Sequence, residues 1–312
     1  MSDIDVVCIG SAKYDTLAWV DHQPVEDERI VTDRIVNAPG GNANTSAAAM
    51  ARLGVRVALC TVIGDDLPGR FLLERMEEQG VDTRFVVRDR DLATPQSVNV
   101  AMGASATRTI ITVPAHRVDA ARAIASRPAW IHLDAEGHNS TAGALRSRVG
   151  SRVSVDAGIH VDATDLREFD LYVPTRAQIM ARFPASDLRG SMQAAVAAGA
   201  GDVVVTDGPH GCFVLYDGRF SSVAAFAVDP VSTLGAGDVF HGALVAALVH
   251  GTDLETAAVW ANAAAALSCR ALDGQSAIPH LQELTTYIDA ADAVRANHAG
   301  PSGAFDRRST SA

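Results

Sequence analysis

The chain has few basic residues for its size. Its 312 residues include 26 lysines and arginines against 37 aspartates and glutamates, which gives a formal net charge of −11. A nucleic-acid-binding protein needs a basic face to neutralise phosphates, so this balance argues against nucleic acid as a partner. With 48 % hydrophobic and 20 % charged residues, the composition is that of a globular protein and not of a disordered one.

Long apolar runs are also lacking. No stretch approaches the roughly 18 consecutive apolar residues that a membrane span requires. The first ten residues, MSDIDVVCIG, carry acids where a secretion signal would be basic. We therefore expect no membrane partner and a cytoplasmic location.

Cysteines are few and scattered. The chain has four, Cys8, Cys60, Cys212 and Cys269, and none belongs to a C-x-x-C pair. This spacing argues against a zinc knuckle and against a redox motif. Each lies beside apolar neighbours, which predicts buried free thiols.

Short β-branched runs alternate with stretches rich in alanine and leucine. The candidate strands are DVVCIG, VRVALCTVIG, AWIHLD, RVSVDA, DLYVP and DVVVTDG, and the candidate helices cover residues 43–53, 67–79, 141–149, 190–199 and 238–250. Most of these strands are apolar throughout, as expected of strands covered on both faces. The order predicts an α/β fold with a mainly parallel central sheet flanked by helices.

Two regions depart from this alternation. Residues 15–37 and 94–113 alternate apolar and polar residues without helical spacing, which predicts a small antiparallel sheet outside the main layer, placed to act as a lid. Unpaired edges of such strands invite association, so we expect a homodimer joined through the lid. We assign residues 1–298 to one domain that includes this lid. Residues 299–312 are small and polar and predict a disordered tail.

The most informative segment is VSTLGAGDVFHGALVAA, residues 231–247. Gly235, Ala236 and Gly237 are small, so the backbone can approach a ligand closely. Helical spacing follows them and puts Asp238 in a first helical turn, where free N–H groups and the helix dipole hold anionic oxygens. A carboxylate there can take a proton from a hydroxyl beside a bound phosphate. The alternative interpretation is a glycine-rich turn in which Asp238 only caps the helix.

Two further segments give weaker signals. PGGNANTSAAAMARLG, residues 39–54, places two glycines before a helix. Its Asn42 has the donor and acceptors that suit a sugar hydroxyl, but an asparagine there also serves as an ordinary N-cap. VVVTDGPHG, residues 203–211, is an apolar strand that ends in a glycine-containing turn, suited to nucleotide phosphates or simply an ordinary loop.

Together these segments carry a resemblance. GGNANTSAAAMARLG and STLGAGDVFHGAL resemble the two signatures of the PfkB (ribokinase-like) family of sugar and nucleoside kinases. VTDGPHG resembles the nucleotide loop of that family, and ANAAAALSC resembles the helix beside its adenine pocket. The resemblance implies a ribokinase-like three-layer fold with a β lid, and a phosphotransferase that uses ATP and has an alcohol group as acceptor.

The same resemblance implies roles for individual residues. Asp238 would be the catalytic base, and the N–H groups of Gly235, Ala236 and Gly237 would form the anion hole for the migrating phosphoryl group. Mg²⁺ would accompany ATP, held largely by phosphates and water, and its protein ligands stay unassigned. Three residues would bind the sugar: Asp15, Gly41 and Asn42. Four would line the nucleotide site: Thr206, Gly208, Gly211 and Asn262.

Two positions depart from the family pattern. Many members have Asp-Thr before the GAGD turn, where this chain has Ser232-Thr233. That aspartate helps to shape a potassium site, so activation by K⁺ is left open. Many members also carry an N-x-x-E motif tied to Mg²⁺ and phosphate handling, and the corresponding place here reads Thr175-Arg176-Ala177-Gln178. Either the chain belongs to a subgroup without the motif, or its metal handling differs.

The acceptor is suggested by a second likeness. AWIHLDAEGHNSTAGAL, residues 129–145, resembles a ketohexokinase segment, and the lid region carries Asp27 and Arg108 at comparable places. The likeness implies a ketose such as fructose, with Asp27 and Glu136 at the sugar and Arg108 facing phosphate. As alternatives, Asp27 belongs to a solvated acidic face and Arg108 to a surface ion pair.

Other functions stay open alongside the ketose. They are a sulfofructose, 2-keto-3-deoxygluconate, ribose or nucleoside kinase, or a non-catalytic sugar or nucleotide sensor. Sulfofructose is disfavoured because Glu136 would repel a sulfonate, and the intact GAGD turn argues against a sensor. We interpret His132, His138 and His241 as structural, since the chemistry of the family needs no histidine base.

Overall fold

The computed structural model describes residues 3–103, 107–141, 143–157 and 166–298. Within these ranges the strands and helices are β1 Val6–Ile9, β2 Lys13–Val20, β3 Ile35–Gly40, α1 Asn42–Arg52, β4 Val57–Gly64, α2 Leu67–Glu78, β5 Asp82–Asp89, β6 Gln96–Met102, β7 Thr107–Thr112, α3 Ala121–Ala125, β8 Trp130–Leu133, α4 Ala135–Ser140, β9 Arg152–Asp156, β10 Leu171–Val173, α5 Arg176–Arg182, α6 Leu188–Ala197, β11 Asp202–Thr206, β12 Cys212–Tyr216, β13 Arg219–Val223, α7 Ala236–Val249, α8 Leu254–Ser268 and α9 Leu281–His298. The predicted tail at 299–312 lies outside the described residues.

Nine strands form the central sheet, in the order β13-β12-β11-β10-β9-β8-β1-β4-β5. The seven strands from β11 to β5 are parallel, and β12 and β13 add an antiparallel edge. The prediction of a mainly parallel sheet is confirmed. Because the connected strands run the same way, their carboxyl ends share one edge of the sheet, which is where α/β folds place ligands.

Side chains alternate between two cores along each buried strand. On β1, Val6 and Cys8 face the core built with α1, α7 and α8, whereas Val7 and Ile9 face the core built with α3, α5 and α6. The sheet is therefore covered on both faces, which gives the three layers. The four cysteines are buried free thiols, as predicted. No helix in the described ranges is long and apolar enough to cross a bilayer.

One predicted helix is wrong. The helix expected over 141–149 is reduced to a short 3-10 helix at Ala144–Ser147. Gly143 precedes this segment in a left-handed conformation (φ 84°), and Arg148 ends it in an extended conformation (φ −63°, ψ 137°). Since neither conformation continues a right-handed helix, only the four residues between them form a helical turn.

The lid is a four-stranded sheet in the order β3-β2-β6-β7. Its two outer pairings are antiparallel, and the middle pairing of β2 with β6 is parallel. The register divides its side chains between two faces. We call the face that carries Asp15, Leu17, Asn99 and Arg108 the inner face, and the opposite face, which includes Val98, the outer face.

Candidate active site

Helix α7 begins without a side-chain cap. Its N-cap, Gly235, has a left-handed conformation (φ 73°) and no side chain to accept the first N–H groups. By contrast, side-chain oxygens of Asp66, Thr175, Asp187 and Asp253 cap α2, α5, α6 and α8. The first turn of α7 is thus open to an anion, as predicted for the GAGD segment.

Asp238, the third residue of α7, lies at this open end. Its Oδ1 accepts a hydrogen bond of 2.8 Å from Asn42 Nδ2, and its main-chain oxygen accepts one of 2.9 Å from Ser46 Oγ. Burial raises the pKa of Asp238 well above its usual value, and the nearby carboxylates of Asp156 and Asp134 raise it further. The two signature segments, far apart in the sequence, therefore meet in one place.

Close contact between α1 and α7 fixes this meeting. A Cβ on Gly242 would overlap the Ser46 carbonyl oxygen, so the two helix backbones touch at this point. The apolar residues that follow Asp238 on α7 are buried, including Val239, Phe240 and Ala243. Since helix packing sets their spacing, Asn42 and Asp238 are held by the core and not by flexible loops.

The first N–H groups of α1, unlike those of α7, donate hydrogen bonds to side chains of the protein itself. Asp134 Oδ2 accepts hydrogen bonds from the Ser11 N–H and hydroxyl, both 2.7 Å, and from the Ala43 N–H at 3.2 Å. Ser11 Oγ in turn accepts from the Asn42 N–H at 3.0 Å. Asp134 Oδ1 accepts from the Gly137 N–H at 2.8 Å and so caps α4. Burial, with a contribution from the charge of Glu136, raises the pKa of Asp134 to about 6.

Sequence reasoning did not single out Asp134. The signal that could have found it is the acid directly after the apolar strand in AWIHLD, at the carboxyl end of a parallel strand. The sheet order places β8 beside β1, and this brings Asp134 to Ser11.

Asp15 lies on the inner face of the lid, beside the glycine turn. A Cβ on Gly40 would overlap its carboxylate, so the chain needs a glycine there. Gly41 has a φ of 91°, which lets the chain turn from β3 into α1 and present Asn42 to the site. Burial raises the pKa of Asp15 to about 6, and Ser97 and Lys13 oppose this rise. Asp15, Gly41, Asn42 and Asp238 are thus brought together.

Arg108 reaches the site from the lid. Its Nη1 donates a hydrogen bond of 2.7 Å to Thr233 Oγ1, in the turn before α7, and its charge lowers the pKa of Asp238. The lid therefore lies closed against this turn. The side chain of Ser232, in the same turn, is buried, and its Oγ accepts the Leu234 N–H at 3.1 Å.

Two predicted sugar ligands lie elsewhere. Asp27 is exposed in a turn between β2 and β3, where its φ is 58°. Glu136 lies in the first turn of α4 and lines a cavity of about 420 Å³ with Arg117 and His138. Among the described contacts, none joins either residue to Asp15, Asn42 or Asp238.

Three of the four predicted nucleotide residues lie along the β11–β12 connection. Thr206 ends β11, and Gly208 and Gly211 bound the short 3-10 helix that follows, with φ of 54° and 93°. Asn262, on α8, donates from Nδ2 to the main-chain oxygens of Val223 at 3.1 Å and Ala224 at 3.3 Å. Its donor group thus ties α8 to the end of β13.

The donor groups for a metal are sparse. No group of three or more His, Cys, Asp or Glu that could hold a metal ion occurs in the described ranges. At the place of the N-x-x-E motif, Thr175 Oγ1 accepts the Gln178 N–H at 3.3 Å and Gln178 Oε1 accepts the Thr175 N–H at 2.8 Å. Both side chains are used in capping α5 and neither is charged. The described residues therefore do not form a protein cage for Mg²⁺.

Burial disfavours the charged form of two histidines. His132 Nδ1 lies 2.9 Å from Ser154 Oγ, and His241 Nε2 lies 3.4 Å from Asp156 Oδ1. Burial lowers the pKa of both His132 and His241 to about 3. This geometry agrees with a structural role for them.

Comparison with known proteins places this geometry in context. The model of the pfkB family carbohydrate kinases matches residues 3–135 and 165–281, which include both signature segments. The chain is 26 % identical to a ribokinase of Bacillus subtilis over 298 residues, covering 90 % of this chain and 98 % of that one. It is 23 % identical to a fructokinase of Vibrio alginolyticus over 285 residues, covering 81 % and 92 %.

Solved structures show the same fold. A ribokinase of Thermotoga maritima superposes with a TM-score of 0.81 at 23 % identity, covering 92 % of this chain and 99 % of that one. A protein of E. coli described as a ribokinase II, in complex with ATP and Mg²⁺, superposes with a TM-score of 0.80 at 22 % identity, covering 92 % and 99 %. The expectation of a ribokinase-like three-layer fold with a lid is confirmed.

Proposed function

Because the chain belongs to the pfkB family of carbohydrate kinases, we propose that it transfers the terminal phosphoryl group of ATP to a hydroxyl of a ketose such as fructose. The observation that carries this proposal is the placement of Asp238, which lies at the uncapped N-terminus of α7 and is held by Asn42. A proton acceptor thus shares one site with the N–H groups of Gly235 and Gly237, beside the Ala236 N–H, which makes a long hydrogen bond of 3.4 Å to Thr233 O.

The chemistry follows from these two features. The Asp238 carboxylate takes the proton of the acceptor hydroxyl as its oxygen bonds to the terminal phosphorus of ATP and the bond to the leaving ADP oxygen breaks. The N–H groups of Gly235, Ala236 and Gly237 stabilise the charge on the phosphoryl oxygens. The raised pKa of Asp238 makes it a better proton acceptor near neutral pH than an exposed aspartate.

ATP and Mg²⁺ are the proposed cofactors. The E. coli relative determined with both supports them. Mg²⁺ supplies charge neutralisation on the phosphates, and we expect phosphate oxygens and water to be its main ligands, because the described residues form no cage. We propose Thr206, Gly208, Gly211 and Asn262 as the nucleotide-site residues, and no K⁺ requirement is part of the proposal.

The choice of acceptor rests on the lid. Arg108 lies against the turn before α7, which agrees with the ketose interpretation in which it faces phosphate. Ribose is the second candidate, favoured by the ribokinases of B. subtilis and Haemophilus influenzae, the latter 25 % identical over 299 residues. Asp15, Gly41 and Asn42 suit either sugar, because they offer acceptors and donors to hydroxyls.

A coupled assay of ADP release tests the function. The panel contains fructose, ribose, sulfofructose, 2-keto-3-deoxygluconate and a nucleoside, each with ATP and Mg²⁺. We expect fructose to give the highest kcat/KM. A higher value for another acceptor would replace fructose and leave the kinase chemistry in place. No ADP release with any acceptor would leave the sugar or nucleotide sensor as the better description.

We also propose a homodimer joined through the lid. Ile35, Val98, Ile111 and Val113 share the outer face and are between 44 % and 66 % exposed. A contiguous apolar patch of this kind is typical of an interface, and a second copy would also cover the unpaired edges of β3 and β7.

Replacing one residue of this patch tests the dimer. Ile111→Lys is expected to shift the protein from dimer to monomer at micromolar concentration, because a charge would be buried in an apolar contact. Sedimentation velocity measures the change. Val87→Lys, on the β5 edge of the central sheet, is the matched control and should stay dimeric. A monomeric wild-type protein at that concentration would contradict the proposal.

A further inference from the structure

A buried amide on the inner face of the lid has no explanation in the fold. Asn99 belongs to β6 and stands in a row across the sheet whose other members are Val36, Leu17 and Ile110. It is therefore the one polar side chain in an apolar row. A leucine of similar volume would suit this row better if packing were the only requirement.

The amide is buried, and no protein group pairs with it. Asn99 is 1 % exposed, and neither Nδ2 nor Oδ1 has a hydrogen-bond partner. Within the described ranges it is the one side chain whose nitrogen and oxygen are both buried without a partner. Buried polar atoms without partners destabilise a fold, so each such group in a natural protein calls for a physical explanation.

The position of Asn99 relates it to the site. In the adjoining row of the same face, Asp15 pairs with Ser97, so Asp15 and Asn99 are diagonal neighbours on β2 and β6. A weak side-chain hydrogen bond from Asn99 is one of the effects that oppose the burial-driven rise in the pKa of Asp15. The Asn99 Nδ2 group therefore lies close to the Asp15 carboxylate, in a contact that falls outside the ordinary geometry of a hydrogen bond, and Oδ1 has no such neighbour.

The chemistry of Asn99 and Asp15 indicates which class of ligand fits between them. Asn99 has an N–H donor and a carbonyl acceptor without partners, and a hydroxyl group can satisfy both. A carboxylate or sulfonate has acceptors alone, so it would leave Oδ1 unpaired and would also meet the charge of Asp15. The lid thus presents a surface that fits a neutral polyol.

We propose that Asn99 is a specificity-determining residue, which hydrogen-bonds a hydroxyl of the acceptor next to the group bound by Asp15 when the lid closes over the sugar. This rests on the proposed sugar-kinase function. No protein group of ordinary hydrogen-bond geometry pairs with the amide, and the sugar supplies its partner. Closure is therefore favoured when a sugar with this hydroxyl is present, and a deoxy sugar that lacks it is rejected.

Calorimetry with D-fructose and D-ribose, in the absence of ATP, tests the inference on the full chain. For the sugar that binds, Asn99→Leu should raise Kd by about 10- to 100-fold, since one or two hydrogen bonds are lost. The KM for that sugar should rise in parallel, with kcat at saturation within about threefold of wild type. The urea midpoint of unfolding should be equal to or above that of the wild type, because the unpaired atoms are removed.

Two comparisons sharpen the result. Gln96→Leu makes a similar change on the exposed outer face of the same strand, and it should leave Kd unchanged. Each monodeoxy analogue of the sugar lacks one hydroxyl. For one of these analogues, the Kd for the wild-type protein should equal the Kd of the parent sugar for Asn99→Leu. The affinity for that analogue should be insensitive to the substitution.

Several outcomes would overturn the inference. One is a Kd for Asn99→Leu within twofold of wild type. Another is a loss of affinity accompanied by a lower urea midpoint, both in this variant and in Asn99→Val, whose β-branched side chain suits a strand. Because calorimetry needs no phosphoryl transfer, its result is independent of the ADP-release assay. Absence of ADP release would count against the kinase function. If neither of the two sugars binds, the role proposed for Asn99 is contradicted.

Discussion

Asp238→Asn is expected to lower kcat by about 10²- to 10⁴-fold, the usual contribution of a general base. The amide keeps the shape of the side chain and an oxygen that can accept the hydrogen bond from Asn42. It cannot take the proton of the acceptor hydroxyl, so the chemical step slows while the position of the residue is preserved. Steady-state kinetics with saturating ATP and sugar measure the change, and KM for the sugar should change far less than kcat.

The control for this substitution is Asp253→Asn. Asp253 caps α8 by accepting the Thr256 N–H at 2.9 Å, and asparagine is an equally good N-cap, so kcat and stability should be retained. The pH profile adds a second criterion. Wild-type kcat/KM should fall as the pH is lowered through the raised pKa of Asp238, and the residual activity of Asp238→Asn should show a shallower acid limb. If kcat stays within about tenfold of wild type, Asp238 is not the base.

Asp134→Ala is expected to lower the free energy of unfolding by about 3–5 kcal/mol, because it leaves several buried donors without an acceptor. The carboxylate accepts from the N–H groups of Ser11, Ala43 and Gly137 and from the Ser11 hydroxyl. Ser11 would lose its hydrogen bonds to Asp134, and its hydroxyl would no longer hold the Asn42 N–H in place. The value of kcat/KM for the sugar should therefore also fall. Urea denaturation followed by fluorescence measures the stability.

A second capping aspartate provides the comparison. Asp187 caps α6 through the Gly190 N–H at 2.7 Å, but it is exposed, so water can replace it. Asp187→Ala should cost about 0.5–2 kcal/mol, the ordinary value for an N-cap, and should not affect the site. Equal losses from the two substitutions would mean that Asp134 is only another helix cap.

The parts of the site that could be predicted are those that depend on residues close together in the sequence. Two glycines before a helix identify the turn at Gly41, and helical spacing after GAGD places Asp238 in a first turn. The continuous apolar runs predict strands covered on both faces, and the parallel sheet follows from their alternation with helices.

The parts that could not be predicted depend on distant pairings. Asp134 acts on the N-terminus of α1 because β8 lies beside β1 in the sheet, and no local pattern specifies that order. Asn99 alternates with apolar residues along β6, so in the sequence it resembles a solvated position of a lid strand. The likeness in sequence assigns Glu136 to the sugar, and the structure places this residue in the first turn of α4.

The contact of α1 with α7 at Gly242 has a consequence for the order in which the protein becomes active. Asn42 and Asp238 are 196 positions apart, and they meet because these two helices pack together. A chain growing on the ribosome completes its sugar-facing lid long before α7 emerges. The proposed base and the asparagine that holds it therefore come together only after the last third of the polypeptide has been made and α7 has packed against α1.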